Sequence, residues 1–343
     1  MKIGILTGGG DCPGLNAAIR GATVRLQKDG HEVVGLLDGW KGLLTANSIP
    51  LNREDVEDIH REGGTILGSS RTNVYATPEG PDLAVKQFKA MGLDALIAIG
   101  GEDTLGVATK LTAKGLPMVG VPKTIDNDLS ETDDTIGFDT SINIIAEELD
   151  RLHTTAKSHH RVIVCEIMGR HAGWMALYGG IAGGAHVILI PEEQMSLEDI
   201  CTAVTTQHKR NGYAIVAVSE GVKLVSEDEE KEVLQHQELD SFGHVQLGGI
   251  GKQIENQLKQ RTGLQVRSVV LGYIQRGGRP SARDRVNGTR LGVLGAEMVL
   301  DGLFGHMASV RGTEVLPVPI EKATGKLKTV DPEKYRVAKI FFT

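Results

Sequence analysis

Short apolar runs punctuate the chain at Ile3–Leu6, Ala95–Ile99, Met118–Val121, Val162–Val164, Val187–Ile190, Ala214–Val218 and Val269–Leu271, each followed by glycine or polar residues. Runs this short, without polar alternation, predict strands buried on both faces. Between them the period changes. Ile142, Ile145, Leu149, Leu152 and Ala156 recur at spacings of three and four, giving a helix one apolar stripe to lay on a sheet. A second helix is predicted from Ser196, whose hydroxyl can cap it while Asp199 completes a capping box beside Leu197, Ile200, Cys201 and Val204. Alternating strands and helices predict an α/β protein with mainly parallel sheets. Such sheets bind ligands outside the carboxyl ends of their strands, which is where the chemically interesting residues of this chain fall. Residues 223–262 break the rhythm. They are polar, contain the charged run Glu227–Glu232, and read as a solvated insertion or as a regulatory or partner surface.

The chain has 343 residues, enough for about two domains. Glycine is the outlier in composition: 44 residues, or about 13% where about 7% is usual, clustered where backbone must approach something closely. Thirty-seven basic against 44 acidic residues leave a net charge of −7. Without a Lys/Arg run to offset that field, a nucleic-acid partner is not expected. Cys12, Cys165 and Cys201 are odd in number and lack metal-ligand spacing, which fits a reducing compartment and argues against structural zinc. No apolar stretch approaches the ~18 residues of a membrane span, and glycines arrive too early for a signal peptide. The expectation is a soluble cytoplasmic protein.

Five post-strand segments can carry chemistry. GGGDCPGLNAAIR, Gly8–Arg20, opens a helix directly after a strand. Its Gly9 and Gly10 N–H groups can approach phosphate oxygens while the helix adds its positive end; a plain tight turn is the other reading. GGEDTLG, Gly100–Gly106, sets Glu102 and Asp103 after a double glycine. That pair suits Mg²⁺, which takes one or two carboxylates and keeps several waters, or is simply an acidic helix start capped by Asp103 or Thr104. PKTIDNDL, Pro122–Leu129, gathers Lys123, Thr124, Asp126 and Asp128. On an extended backbone the two aspartates would face one way. One could take a proton while the other holds metal or orients the first, and the lysine could neutralise phosphoryl charge. MGRHAGW, Met168–Trp174, and Arg161 ahead of its strand supply arginines that fork onto phosphate or carboxylate; Met168, His171 and Trp174 taken singly read as structural. Glu220 could accept a sugar hydroxyl or a salt bridge, and RSVVLGYIQRGG offers Arg267 and Arg276 to a phosphate.

In this order and approximate spacing, GGGDCPGLNAAIR, GGEDT, PKTIDND, MGRHAGW and IQRGG resemble the 6-phosphofructokinases over residues 1 to about 305. The resemblance implies two Rossmann-like three-layer α/β domains with mainly parallel sheets and an active site in the cleft between them. A phosphoryl-donor domain would comprise 1–137 plus about 276–310. A fructose 6-phosphate domain would comprise 138–275 plus about 311–343, with the 223–262 insertion. Asp126 would be the base that activates the sugar 1-hydroxyl, Asp128 a support for base and metal, and Thr124 a neighbour of the transferred group. Met168, Gly169, Arg170 and Glu220 match the sugar surface, and Arg276 matches a sugar-phosphate ligand. Arg161 and Arg267 match arginines that reach the same phosphate from a neighbouring subunit, which implies a homo-oligomer, dimer or tetramer, with shared sites. The donor would meet Gly9, Gly10, Arg71, Gly101, Asp103 and Thr104, with Mg²⁺ as cofactor on Glu102, Asp103 and Asp128.

Departures from the commonest family pattern bear on the donor. Where ATP-dependent members usually carry glycine, this chain has Asp103 and Lys123, as pyrophosphate-dependent members do. A carboxylate at 103 would occupy and repel the place of a nucleotide's α-phosphate, costing several kcal/mol in a poorly solvated crevice, and Lys123 would compensate the small donor's charge. The expected reaction is phosphoryl transfer from Mg-pyrophosphate to the 1-hydroxyl of D-fructose 6-phosphate. ATP as donor and a non-catalytic sugar-phosphate sensor are the alternatives. Glu102 stands where many members have aspartate, and Tyr273 where ATP-dependent enzymes have histidine. Of the residues that bind an allosteric effector in those enzymes, Arg20 and Arg53 are retained. His153 and Asn211 replace an arginine and a lysine, which speaks against effector control.

Overall fold

The computed structural model describes residues 1–225, 230–231, 234–239 and 245–342. The chain divides into two compact α/β units, one built from Met1–Thr140 with Arg276–Leu327, the other from Ser141–Leu239, Val245–Gln275 and Lys328–Thr343. Residues 311–327, expected with the second unit, fall in the first because Glu314–Pro319 pairs antiparallel with His306–Arg311.

The first unit's sheet runs in the order Glu314–Pro319, His306–Arg311, Met118–Pro122, Ala95–Gly100, Lys2–Thr7, Glu32–Leu36, Ser48–Pro50. Its five central strands are parallel and only the outer two turn antiparallel. Ile3, Ile5 and Leu6 on the strand Lys2–Thr7 are fully buried, each side chain stabilising by about 1.5–3 kcal/mol. The helices Leu15–Lys28 and Ala282–Leu300 pack at glycine range. A Cβ on Gly21 would stand 2.5 Å from the Thr289 carbonyl oxygen, one on Gly288 would stand 2.7 Å from that of Gly14, and Gly292 abuts the Ala18 backbone. Part of the glycine excess therefore serves helix packing.

In the second unit four parallel strands run Val266–Val270, Val162–Ile167, Ala214–Ser219, Val187–Leu189. The predicted apolar stripe lies on the helix Phe138–Ser158, with Ile145, Leu149 and Ala156 fully buried. Ser196 caps Leu197–Asn211, accepting from the Asp199 N–H at 3.1 Å. The strand expected at Val269–Leu271 begins earlier, at Val266, and is an edge. Paired among the described residues only with Val162–Ile167, it leaves Val269 and Val270 exposed. Of the segment 223–262, residues 226–229, 232–233 and 240–244 lie outside the described residues. Its last third is core, not solvated insertion: Ile250–Thr262 is a helix that buries Ile250, Ile254 and Leu258. Among the described residues no helix is long and apolar enough to cross a membrane.

Candidate active site

Three loops of the first unit meet at the carboxyl ends of Lys2–Thr7, Ala95–Gly100 and Met118–Pro122, where an open parallel sheet binds ligand. Backbone bonds tie them: Gly8 N–H donates to the Ile99 carbonyl at 3.0 Å, and Lys123 N–H to that of Gly100 at 3.0 Å. Buried Thr104 fills the gap, since a Cβ on Gly8 or Gly100 would stand 2.6 Å from its hydroxyl. Gly9, at φ 81°, turns its N–H onto the Ser70 carbonyl at 3.1 Å, and the Ser69 hydroxyl donates to the Gly9 carbonyl. The Gly9 N–H expected to meet phosphate is thus already used in a seam between loops. Exposed Arg71 follows that seam.

Lys123 is buried beneath the same loop. Its ammonium donates to the Gly8 carbonyl at 2.9 Å and to that of Gly10. Burial pulls its pKa down to about 8; Arg276 also lowers it, against the pull of Cys12, Asp11 and Asp126. Two of its three protons are spoken for by the loop, leaving its charge and one proton for a ligand. Arg276, expected as a sugar-phosphate ligand, lies against this loop: it donates to the Asp11 carbonyl at 3.3 Å, and a Cβ on Gly10 would stand 2.6 Å from its Nη1. Cys12 donates to the Ile136 carbonyl at 3.3 Å, and burial pushes its thiol up to about 12, so it is not a nucleophile.

Asp126 and Asp128 are half-buried and do not lie on extended backbone. Asn127 between them takes φ 51°, so the segment is a turn. The Asn127 amide donates inward to the Asp133 carbonyl at 3.2 Å. Asp126 N–H donates to the Thr124 hydroxyl at 3.1 Å, and the Thr135 hydroxyl to the Thr124 carbonyl at 2.6 Å. Handedness that an asparagine tolerates, fixed by partly buried bonds, presents the two acids. Exposed Glu102 and half-buried Asp103 form the first turn of the helix Glu102–Ala113, capped by Gly101.

In the second unit a different set gathers at the carboxyl ends of Val162–Ile167 and Ala214–Ser219. Gly169 N–H donates to Glu220 at 3.4 Å, the Ser219 hydroxyl to the Gly169 carbonyl at 2.6 Å, and Met168 N–H to the Gln275 side chain at 3.2 Å. Met168, Gly169 and Glu220 are brought together, with Arg170 next in chain. Arg161 and Arg267 are not. They stand at or near the amino-terminal end of the paired strands, Arg161 donating to the Gln265 side chain and Arg267 to the Val266 carbonyl. Tyr273 is 75% exposed, on the short helical turn Gly272–Arg276. His153 is occupied by the Tyr213 hydroxyl and the Gly183 carbonyl, and Asn211 by Gln207.

The Phosphofructokinase family description matches residues 2–299. The chain belongs to this enzyme family. Phosphofructokinase-family relatives cover its whole length. It is 52% identical over 343 residues to a protein of Dictyoglomus thermophilum named pyrophosphate–fructose 6-phosphate 1-phosphotransferase, covering 100% of this chain and 99% of that one. It is 45% identical to an "ATP-dependent 6-phosphofructokinase 3" of Streptomyces coelicolor, covering 98% and 99%. A solved pyrophosphate-dependent phosphofructokinase from Marinobacter aquaeolei superposes with a TM-score of 0.82 at 26% identity, covering 97% of this chain and 86% of that one.

The oxygens available fit magnesium. Among the described residues no three acidic, histidine or cysteine groups form a metal cage, and Mg²⁺ needs none: it takes one or two carboxylates and completes its shell with phosphate oxygens and water. Sequence reasoning missed Ser69 and Ser70, which pin the glycine loop, and Asn127. GSSRT ahead of Arg71 carried a signal, a polar cluster between periodic segments.

Proposed function

We propose that the chain transfers a phosphoryl group from pyrophosphate, with Mg²⁺, to the 1-hydroxyl of D-fructose 6-phosphate, giving fructose 1,6-bisphosphate and phosphate. The observation that carries this reading is Lys123, whose buried ammonium fills the space under the glycine loop that a glycine at this position would leave open to a nucleotide. Asp103 adds a half-buried negative charge from the neighbouring helix start.

Asp126 takes the hydroxyl proton as the sugar oxygen attacks phosphorus in line and the bond to the leaving phosphate breaks. Lys123, Thr124, Arg71 and the Gly10 N–H stabilise charge on the transferred oxygens, while Gly101, Asp103 and Thr104 shape the donor's place. One or two of Glu102, Asp103 and Asp128, rather than all three together, would hold Mg²⁺ with donor oxygens and water, and when bound it neutralises phosphate charge. Met168, Gly169, Arg170, Tyr273 and Glu220 receive the sugar, and Arg276 its phosphate. Arg161 and Arg267 serve the phosphate held by a neighbouring copy, as their place at the far strand ends supports. Three free cysteines support work in a reducing cytoplasm, as a step of glycolysis or gluconeogenesis.

ATP as donor is the second reading, favoured by the Streptomyces coelicolor relative's name. Initial rates with pyrophosphate and with ATP, at saturating fructose 6-phosphate and Mg²⁺, separate the two. Pyrophosphate is expected to win. A clear preference for ATP overturns the donor assignment, and tight fructose 6-phosphate binding without turnover of either donor would mark a sensor.

A further inference from the structure

The segment Met168–Gly173 is held at both ends, and the partner at its second end, Glu192, lies outside the motifs shared with the family. At the first, Glu220 and Ser219 take hold of Gly169. At the second, both carboxylate oxygens of Glu192, in the turn after Val187–Leu189, accept the Gly173 N–H at 3.0 Å. Gly173 is also the cap residue of the helix Trp174–Ala182, so the carboxylate sits where the helix's positive end favours it. A Cβ on Gly173 would stand 2.9 Å from the Glu192 carboxylate and would press still harder on Ile190, so no other residue allows this approach.

Glu192 does a second thing at once. Its Oε1 also accepts the N–H of buried Val330 at 2.9 Å, in a part of the chain beyond the residues 2–299 that the family description covers. The same segment is fastened to the sugar-side helix again: Trp174 Nε1 donates to the Lys328 carbonyl at 2.7 Å, and the Lys328 and Lys334 ammonium groups lie 5.6 and 5.4 Å from the Trp174 ring centroid. The buried Tyr335 hydroxyl then donates to the Ile188 carbonyl at 2.7 Å, on the strand that leads to Glu192. One carboxylate thus joins the sugar-side loop to a buttress formed by residues 328–335.

We propose that Glu192 is a positioning residue for sugar-phosphate binding, acting by clamping the Gly173 end of the Met168–Gly173 loop to the 328–330 segment. This rests on the reading that Met168, Gly169, Arg170 and Glu220 receive fructose 6-phosphate. Oε1 accepts from both backbone N–H donors, and Oε2 also lies 3.0 Å from the Gly173 nitrogen. Glutamine can place its one oxygen at the Oε1 position only by turning its NH₂ against the Gly173 N–H, a donor facing a donor. Loosening the loop lowers the fraction of molecules ready to bind, and apparent affinity falls by that fraction.

The test measures steady-state kinetics with both substrates and the Kd for fructose 6-phosphate alone by calorimetry, for Glu192→Gln, Glu192→Asp and Trp174→Phe. Glu192→Gln should raise KM and Kd for the sugar phosphate roughly tenfold, with kcat and the KM for pyrophosphate within about twofold, since only binding common to ground and transition states is lost. Glu192→Asp keeps the carboxylate and should recover part of the loss. Should Glu192→Gln fail to fold, Trp174→Phe decides: it removes the Nε1–H bond to the Lys328 carbonyl while keeping an aromatic ring under the two lysines, and should raise the sugar KM several-fold without moving the donor's. Unchanged sugar affinity, or equal rises for sugar and donor, overturns the assignment. A parallel Glu220→Gln variant separates the two layers. If Glu220→Gln leaves the sugar KM unmoved, the sugar-surface reading fails. If it raises that KM while Glu192→Gln does not, the clamp alone fails.

Discussion

On the proposed reading Lys123 and Asp103 act on the donor through charge and volume, and each makes a different prediction. Burial holds the Lys123 pKa at about 8 against an ordinary value of 10.5, so the side chain is cationic at pH 7 and loses its proton as pH rises through about 8. With the positive charge goes part of the attraction for pyrophosphate. kcat/KM for pyrophosphate should therefore fall above about pH 8, and in Lys123→Met this alkaline limb should vanish from a lower plateau; a limb that persists in the variant would belong to another group. Asp103 bears on the competitor. Asp103→Gly removes a carboxylate from the place proposed for a nucleotide's α-phosphate, at a cost of a few tenths of a kcal/mol in helix propensity. It should improve ATP use roughly 10- to 100-fold, the range in which one relieved like-charge contact falls. No improvement in a folded variant would count against the charge argument.

Among elements, the junction of Gly137–Thr140, where the helix Phe138–Ser158 begins, with the helix Ala282–Leu300 carries a titration. Asp284, 1% exposed, accepts from the N–H groups of Gly137 and Thr140 at 2.9 and 2.8 Å and from the Thr140 hydroxyl. Burial outweighs these bonds and raises its pKa to about 6. Between about pH 4 and 6 the folded protein therefore holds a proton that the unfolded chain has lost, and this group's contribution to stability falls as pH rises through that window. Asp284→Asn has no such slope. Urea midpoints at pH 4.5 and 7 should show the stability gap between the native protein and the variant narrowing by roughly 1–3 kcal/mol as pH rises; a gap that widens refutes the raised pKa.

The elements also show what a sequence can disclose. Strands such as Ala95–Gly100 and Ala214–Ser219 were legible because burial on both faces leaves an unbroken apolar run, and the candidate segments could be picked out because they follow such strands. The helix Ile250–Thr262 was hidden. Only three of its buried positions are aliphatic side chains, and it also buries Glu255, which hydrogen bonds from Lys259, Ser268 and Lys252 hold well below the usual carboxylate range despite the opposing effect of burial. Such a pattern reads as a charged surface until its partners are known. Asn127's handedness, the Arg276 contact with the glycine loop and the clamp at Glu192 are closures between distant residues, and they leave no periodic trace.

At the scale of the whole molecule, the placement of Arg161 and Arg267 decides how many chains make one working site. Val162–Ile167 spans six residues at about 3.3 Å each, so residues at its two ends lie roughly 17–20 Å apart, and an arginine side chain does not cover that distance. If these arginines act on sugar phosphate at all, they act on a neighbour's. Two variants, each deficient for a different reason, then complement one another. Asp126→Ser should lower turnover by roughly 10²–10⁴-fold through loss of the base, and Arg267→Ala should weaken the sugar phosphate held by the adjoining copy. In a hybrid dimer, the copy carrying Arg267→Ala keeps its own base and receives an intact arginine, while the other site has neither. Random assortment makes half the dimers hybrid with one working site of two, so co-refolded variants should regain about a quarter of native turnover under conditions where each alone is nearly inactive. A tetramer whose sites are shared in pairs gives the same fraction. Mixed variants that show only the average of the two parents would mean that each chain completes its own site, and the arginines would lose their assignment.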